Sequence, residues 1–170
     1  VCLTTMAICM SQVLPECVGS GIPHLRAIFS GARLPGFLRV RLLPVKLFSS
    51  LCLVSSGLWV GFEGPMVHMG CLIANMLVQI PLLKGIRESP ELFNSLIAVS
   101  GGAGLACTLG APIGGVLYTI EEVASCYRIN QLWYAFLAGV PGAIIFRWLM
   151  SYWLSGLYGT PFSFLTGILE

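Results

Sequence analysis

Apolar residues dominate five stretches of the chain: 1–14, 42–60, 66–83, 92–120 and 131–155. Polar breaks separate and follow them at 15–24, 31–41, 84–91, 125–130 and 156–163. A simple membrane-spanning helix needs roughly 20 apolar residues. The 42–60 and 66–83 stretches approach that length but carry Pro, Gly or a charge at their starts. The 92–120 stretch is too long for one span, and the Gly110-Ala111-Pro112 step divides it. The pattern predicts a helix over about 92–108 and a shorter one over about 112–122. Short hydrophobic segments interrupted by Gly and Pro are a pointer to a transporter binding site. Gly101, Gly102, Ala103, Gly104 and Ala106 also permit close helix packing. In the break at 84–91, Lys84, Arg87, Glu88 and Glu91 predict a water-exposed loop. The following helix is expected to start with Ser89 as N-cap, Pro90 first and Glu91 next. Trp133, Tyr134, Trp148, Tyr152 and Trp153 bracket the last span, as interfacial aromatics do.

Composition sharpens the class. Of 170 residues, 56% are hydrophobic and 9% charged, with a mean hydropathy of +0.89. Soluble domains carry about 25% charged residues, so the expectation is an all-α, multi-pass integral membrane protein set in a lipid bilayer. The net charge of +2 gives no basis for a nucleic-acid partner. Arg26, Arg33, Arg39, Arg41 and Lys46 cluster, and short basic loops stay cytoplasmic, which places the loop around 31–42 inside. Seven cysteines at 2, 9, 17, 52, 71, 107 and 126 form no C-x-x-C pair. Cys in apolar runs behaves as a small hydrophobe, so neither a disulfide framework nor a metal site is expected. The chain opens inside an apolar run and lacks an initiator Met, as expected of a fragment of a longer protein. It shows no H-E-x-x-H, no Ser/His/Asp arrangement and no nucleotide loop, which points away from an enzyme.

Two short stretches resemble each other: Gly19-Ser20-Gly21-Ile22-Pro23 and Gly61-Phe62-Glu63-Gly64-Pro65. Each runs from Gly to Pro and then into a helical pattern. Proline suits the first turn of a helix, where its missing N–H would have no partner. Glycine lets the backbone approach a ligand closely. Both are expected to be helix starts with open backbone N–H groups, costly in a bilayer unless satisfied. A bound anion satisfies them, and the helix end supplies about half a positive charge. Two such starts meeting at mid-depth would hold a small anion loosely enough to release it. The Ser20 hydroxyl can add a donor. Glu63 then has a reason to sit in so apolar a run. Its carboxylate can fill the anion site, be displaced by substrate, or take a proton and swing away. Intramembrane acids are functional candidates by default. A second pair, Glu121-Glu122, ends the "GGVLYTI" run, with one member expected to face protein and the other water. His68 reads as a packing residue rather than a proton relay.

"GSGIP", "LLPVKLF", "GFEGPMVH" and "GAPIGGVLYTIEE", in this order and spacing, resemble the CLC family of chloride channels and proton–chloride antiporters. The resemblance runs from about Leu14 to Tyr127 and loosely to the end. It implies tilted, broken helices forming one half of an inverted repeat, with the second half absent. It implies a homodimer with one pore per subunit, and no cofactor beyond the transported chloride and protons. By resemblance, Ser20 coordinates chloride with Gly21, Ile22, Pro23, Gly61, Phe62, Gly64 and Pro65 around it. Glu63 is the gate, and Glu122 matches the inner proton-transfer acid of the antiporters. Ser20 in place of Pro favours chloride over nitrate. Two residues depart from the pattern. Phe62 stands where the family has a basic residue, and His24 where it has Glu. Proton-coupled chloride exchange is the expected function; a passive voltage-gated chloride channel and a non-transporting membrane fragment are the alternatives.

Overall fold

The computed structural model describes residues 2–32, 34, 36–58, 60–83, 85–86, 89–123 and 129–158, with residues 13, 82, 123, 129–131 and 154–158 described by backbone only. Arg33, Lys84, Arg87, Glu88 and Cys126, and parts of the breaks at 125–130 and 156–163, lie outside the described residues. All regular structure among the described residues is helical. Helix α1 spans Cys2–Val13 and is followed by a 3-10 turn, Pro15–Cys17. Then come α2 (Ile22–Phe29), α3 (Leu42–Ser55) and α4 (Glu63–Val78). A 3-10 turn at Pro81–Leu83 precedes α5 (Pro90–Leu109) and α6 (Pro112–Tyr118). A π-helical turn, Thr119–Val123, leads toward α7 (Ile129–Tyr158).

The predicted split of 92–120 is where the chain breaks. Gly110 ends α5 with φ of +62°, a left-handed conformation that favours glycine, and Pro112 opens α6. Ser89 does precede Pro90 at the start of α5, but its side chain makes no capping bond; its carbonyl accepts from the Phe93 N–H at 3.0 Å. Helix α4 starts inside the Gly61–Pro65 stretch, as expected, three residues before the apolar run at 66–83. The Phe62 carbonyl accepts from the Met66 N–H at 3.0 Å, which closes the first turn over Pro65 and brings Glu63 into the helix.

Helix α5 is the centre of the packing, flanked by α4, α6 and α7. Small residues make these approaches possible. A Cβ on Gly104 would lie 3.0 Å from the Met66 carbonyl oxygen of α4. One on Gly115 of α6 would lie 2.6 Å from the Ala106 Cα of α5. The expectation that Gly104 serves tight packing therefore holds, and Gly115 acts in the same way. One buried cluster joins Leu25, Val67, Cys71, Ile97 and Leu105. Phe37 also belongs to it, although it comes from the stretch 31–41 that the pattern assigned to a polar break. A turn at Gly36, with φ of +107°, lets the chain send Phe37 inward.

Helices α5 and α7 contain stretches, Pro90–Leu109 and Leu132–Trp153, long and apolar enough to cross a membrane. At 1.5 Å per residue, the 30 residues of α7 extend roughly 45 Å. A hydrocarbon core is about 30 Å thick, so such a helix must tilt or bend. Pro141 within it supplies a point of bending. Its outer face is apolar and exposed, including Trp133, Leu137, Ile144, Trp148 and Trp153. Arg147 escapes that apolar surroundings by donating from Nη2 to the Gly110 carbonyl at 2.8 Å, which ties α7 to the break between α5 and α6.

Candidate anion site

The two glycine–proline stretches meet. A Cβ on Gly64 would collide with the Ser20 Cβ and lie 3.0 Å from the Ser20 Cα. The bare Gly64 backbone at the start of α4 therefore rests on the turn that starts α2. Gly19 and Gly21, with φ of +79° and +87°, give that turn its shape, which β-carbons would strain. Ile22 N–H points at the Ser20 Oγ at 3.4 Å, and Pro23 occupies the first turn of α2. The serine oxygen thus accepts weakly from its own helix and keeps its O–H to donate elsewhere.

Ser20 is exposed, and with Gly19, Gly61 and Pro65 it lines a cavity of about 290 Å³. Residues of α1 and α3, among them Ser11, Ser49 and Ser50, complete the wall. Not every predicted residue faces this space. Gly21 and Gly64 are buried beneath it as contact points, and Ile22 and Pro23 belong to the α2 turn behind it. Phe62 borders a neighbouring hollow formed with Gly57, Leu58, Val60 and Gly61. Glu63 is half-buried, and its carboxylate folds back over Gly61, where a Cβ would collide with Oε2 and lie 3.4 Å from Cδ. The carboxylate therefore lies beside one wall of the cavity. The first-turn N–H groups of α2 and α4 have no partner within their helices. Together with the Ser20 hydroxyl, this arrangement can hold a small anion by N–H and O–H donors alone.

Lys46 was missed as a site residue because the charge count grouped it with the basic loop. It lies inside α3 and is 3% exposed. Its Nζ donates to the Cys17 carbonyl at 3.0 Å and the Gly19 carbonyl at 2.6 Å. The cation holds the turn leading into Ser20 from below and adds positive potential to the cavity it helps line. It does so with its charge already engaged, which limits how tightly it can grip an anion. The apolar flanks of Lys46 in "LLPVKLF" were the available signal, since a lysine in an apolar helix interior is buried only when paired.

Glu122 does not join the cavity. It sits on the π-helical turn after α6, and both Glu121 and Glu122 are exposed. The expectation that one member would face protein is not met among the described residues. The turn packs against α2. A π turn re-aims side chains out of the α register and is frequent at functional sites. The half-buried Tyr118, which ends α6, lies within electrostatic reach of both Glu122 and Glu63. His24 stacks on Phe37 with a centroid distance of 4.9 Å, so the residue that departs from the family pattern has a packing role here.

Converging broken-helix starts, a serine hydroxyl and an adjacent carboxylate form a candidate anion site within an apolar helical protein. Residues 2–168 match the sequence profile of the family described as voltage gated chloride channel. The chain belongs to that family. It is 37% identical over 158 residues to chloride channel protein CLC-d of Arabidopsis thaliana, covering 88% of this chain and 20% of that protein. It is 37% identical over 142 residues to chloride channel protein F of Dictyostelium discoideum, covering 84% of this chain and 18% of that protein. Its fold matches the crystal structure of a eukaryotic CLC transporter with a TM-score of 0.82 and 35% identity, over 86% of this chain and 28% of that one. The chain spans about a fifth of the length of these curated relatives.

The contact between Gly64 and Ser20 carries a prediction. Gly64→Ala should push the Ser20 turn aside, because the clash reaches backbone rather than a flexible side-chain end. Overpacking costs about 1–3 kcal/mol, so chloride affinity should fall roughly tenfold, at about 1.4 kcal/mol per decade. Calorimetric titration with chloride reads this, with α-helical content by circular dichroism unchanged.

Proposed function

We propose that this chain forms one inverted half of a longer, homodimeric membrane protein that exchanges chloride for protons. The meeting of the two helix starts, with the Glu63 carboxylate beside them, carries this reading. A deprotonated Glu63 competes with chloride for the donors at the helix starts. A protonated Glu63 no longer competes, so proton uptake and anion entry are linked at one place. Glu122 delivers protons from the other side, and Tyr118 lies within electrostatic reach of both acids. The names of relatives point both ways, to chloride channels and to a transporter, and the same site serves a passive channel. The acid at position 122 favours exchange.

The full-length protein reconstituted in liposomes tests this. An outward chloride gradient should drive measurable proton movement, and Glu122→Ala should remove the proton movement while chloride still flows. Chloride flux in the unaltered protein without any proton movement supports the channel instead. No flux of either ion contradicts both.

A further inference from the structure

His68 lies one turn beyond Gly64 on the face of α4 that meets the start of α2. It is fully buried, at 0% exposure. Its ring stacks on Phe37 at a centroid distance of 4.1 Å and an interplanar angle of 5°. His24 covers the other face of Phe37, so three rings from α2, the 31–41 stretch and α4 form one stack. The Nε2 atom lies 3.0 Å from the Phe37 carbonyl oxygen. A carbonyl only accepts, so Nε2 carries a proton and donates it. Packing alone would need nothing more of this side chain.

The other nitrogen has a different outlook. Among the described residues, Nδ1 is a buried side-chain atom with no hydrogen-bond partner. The ring edge that carries it packs against Gly21 of the candidate anion site: a Cβ on Gly21 would lie 3.1 Å from Nδ1 and 3.1 Å from Cγ. With the Nε2 proton donated to Phe37, the neutral ring carries a lone pair at Nδ1, on the ring edge beside Gly21. A buried polar atom is rarely left without a partner. Gly21, in the turn at the start of α2, is one of the residues beside it. Gly21, at φ of +87°, has no side chain between its backbone and the ring.

We propose that His68 is a positioning residue of the anion site: its Nδ1 is the alternative partner of the Ser20–Gly21 turn, and so fixes the size of anion the turn accepts. When chloride occupies the site, the donors of the turn face it. When chloride leaves, the turn relaxes toward Nδ1. The imidazole acts through the turn and does not touch the ion. This inference rests on the reading of residues 19–23 and 61–65 as an anion site.

The experiment compares two amide substitutions in the full-length protein, reconstituted in liposomes, with chloride-over-nitrate selectivity as the readout. His68→Gln places a donor near the position of Nε2 and keeps the link to Phe37, but has no atom at Nδ1. His68→Asn places a carbonyl oxygen near Nδ1. His68→Gln should lower the selectivity about fivefold, the scale of one hydrogen bond. His68→Asn should stay within roughly twofold of the unaltered protein on the same scale. Wild-type selectivity in His68→Gln would overturn the proposal, because a residue that only anchors Phe37 predicts that result. Equal losses in both variants would overturn it too. A second measurement needs no substitution. Nitrogen-15 spectra of histidine-labelled protein should show the Nδ1 signal of His68 shifting when chloride replaces isethionate; an unmoved signal at saturating chloride contradicts the proposal. If the unaltered protein passes no chloride, the anion-site reading fails instead, so the two failures are distinguishable.

Discussion

Glu63→Gln is expected to leave chloride flux in place and to abolish its coupling to protons. The amide keeps the shape of the side chain, so the fold of α4 over Gly61 is retained. It has no charge with which to contend for the helix-start donors, and it cannot take up a proton. Removing a positioned proton-transfer group typically costs about 10²–10⁴-fold, so proton flux should drop by at least roughly a hundredfold. Chloride flux should rise or hold, because the competing carboxylate is gone. Proteoliposomes reporting chloride with an electrode and protons with a pH dye measure both. A variant with unchanged proton coupling would show that Glu63 is neither gate nor carrier. The half-burial of Glu63 matters to this expectation, since a carboxylate in bulk water would have no privileged access to the site.

Lys46→Met carries the second large effect. The methionine fills a similar volume in α3 but removes the ammonium that bonds the Cys17 and Gly19 carbonyls. Hydrogen bonds to a charged group are worth about 1.5–3 kcal/mol each, and the buried Cys17 carbonyl would lose this partner. The turn before Ser20 then loses its tether and the cavity loses its cation. Chloride affinity should fall tenfold or more, at about 1.4 kcal/mol per decade, and the thermal melting temperature should drop as well. Lys46→Arg is not a rescue, because a planar fork cannot replace a compact point charge in a site shaped for one. Wild-type affinity in Lys46→Met would mean that the turn holds its shape without the lysine.

Local signals were legible in the sequence, and long-range meetings were not. The starts of α2 and α4 and the break at Gly110–Pro112 could be read because proline and glycine act on their own backbone. The same holds for Ser89 before Pro90. The start of α4 within Gly61–Pro65 matches the expected helix start, with the closing hydrogen bond reaching back to Phe62. That Gly64 lands on Ser20 depends on packing between segments more than 40 residues apart, which no local pattern encodes. The inward turn of Phe37 was hidden because a single aromatic among glycines and arginines looks like loop. Arg147 and Gly110, 37 residues apart, meet for the same tertiary reason. Glu122 was identified as an acid at the end of an apolar run, but the π turn that carries it has no distinctive composition.

Bromide replaces chloride with little change in size and is visible by anomalous scattering. Crystals of the full-length protein grown in bromide should show an anomalous peak beside the Ser20 hydroxyl, between the first turns of α2 and α4. The peak should strengthen in Glu63→Gln, where no carboxylate contends for the position. Bromide density confined to the protein surface, with none between residues 19–23 and 61–65, would contradict the account.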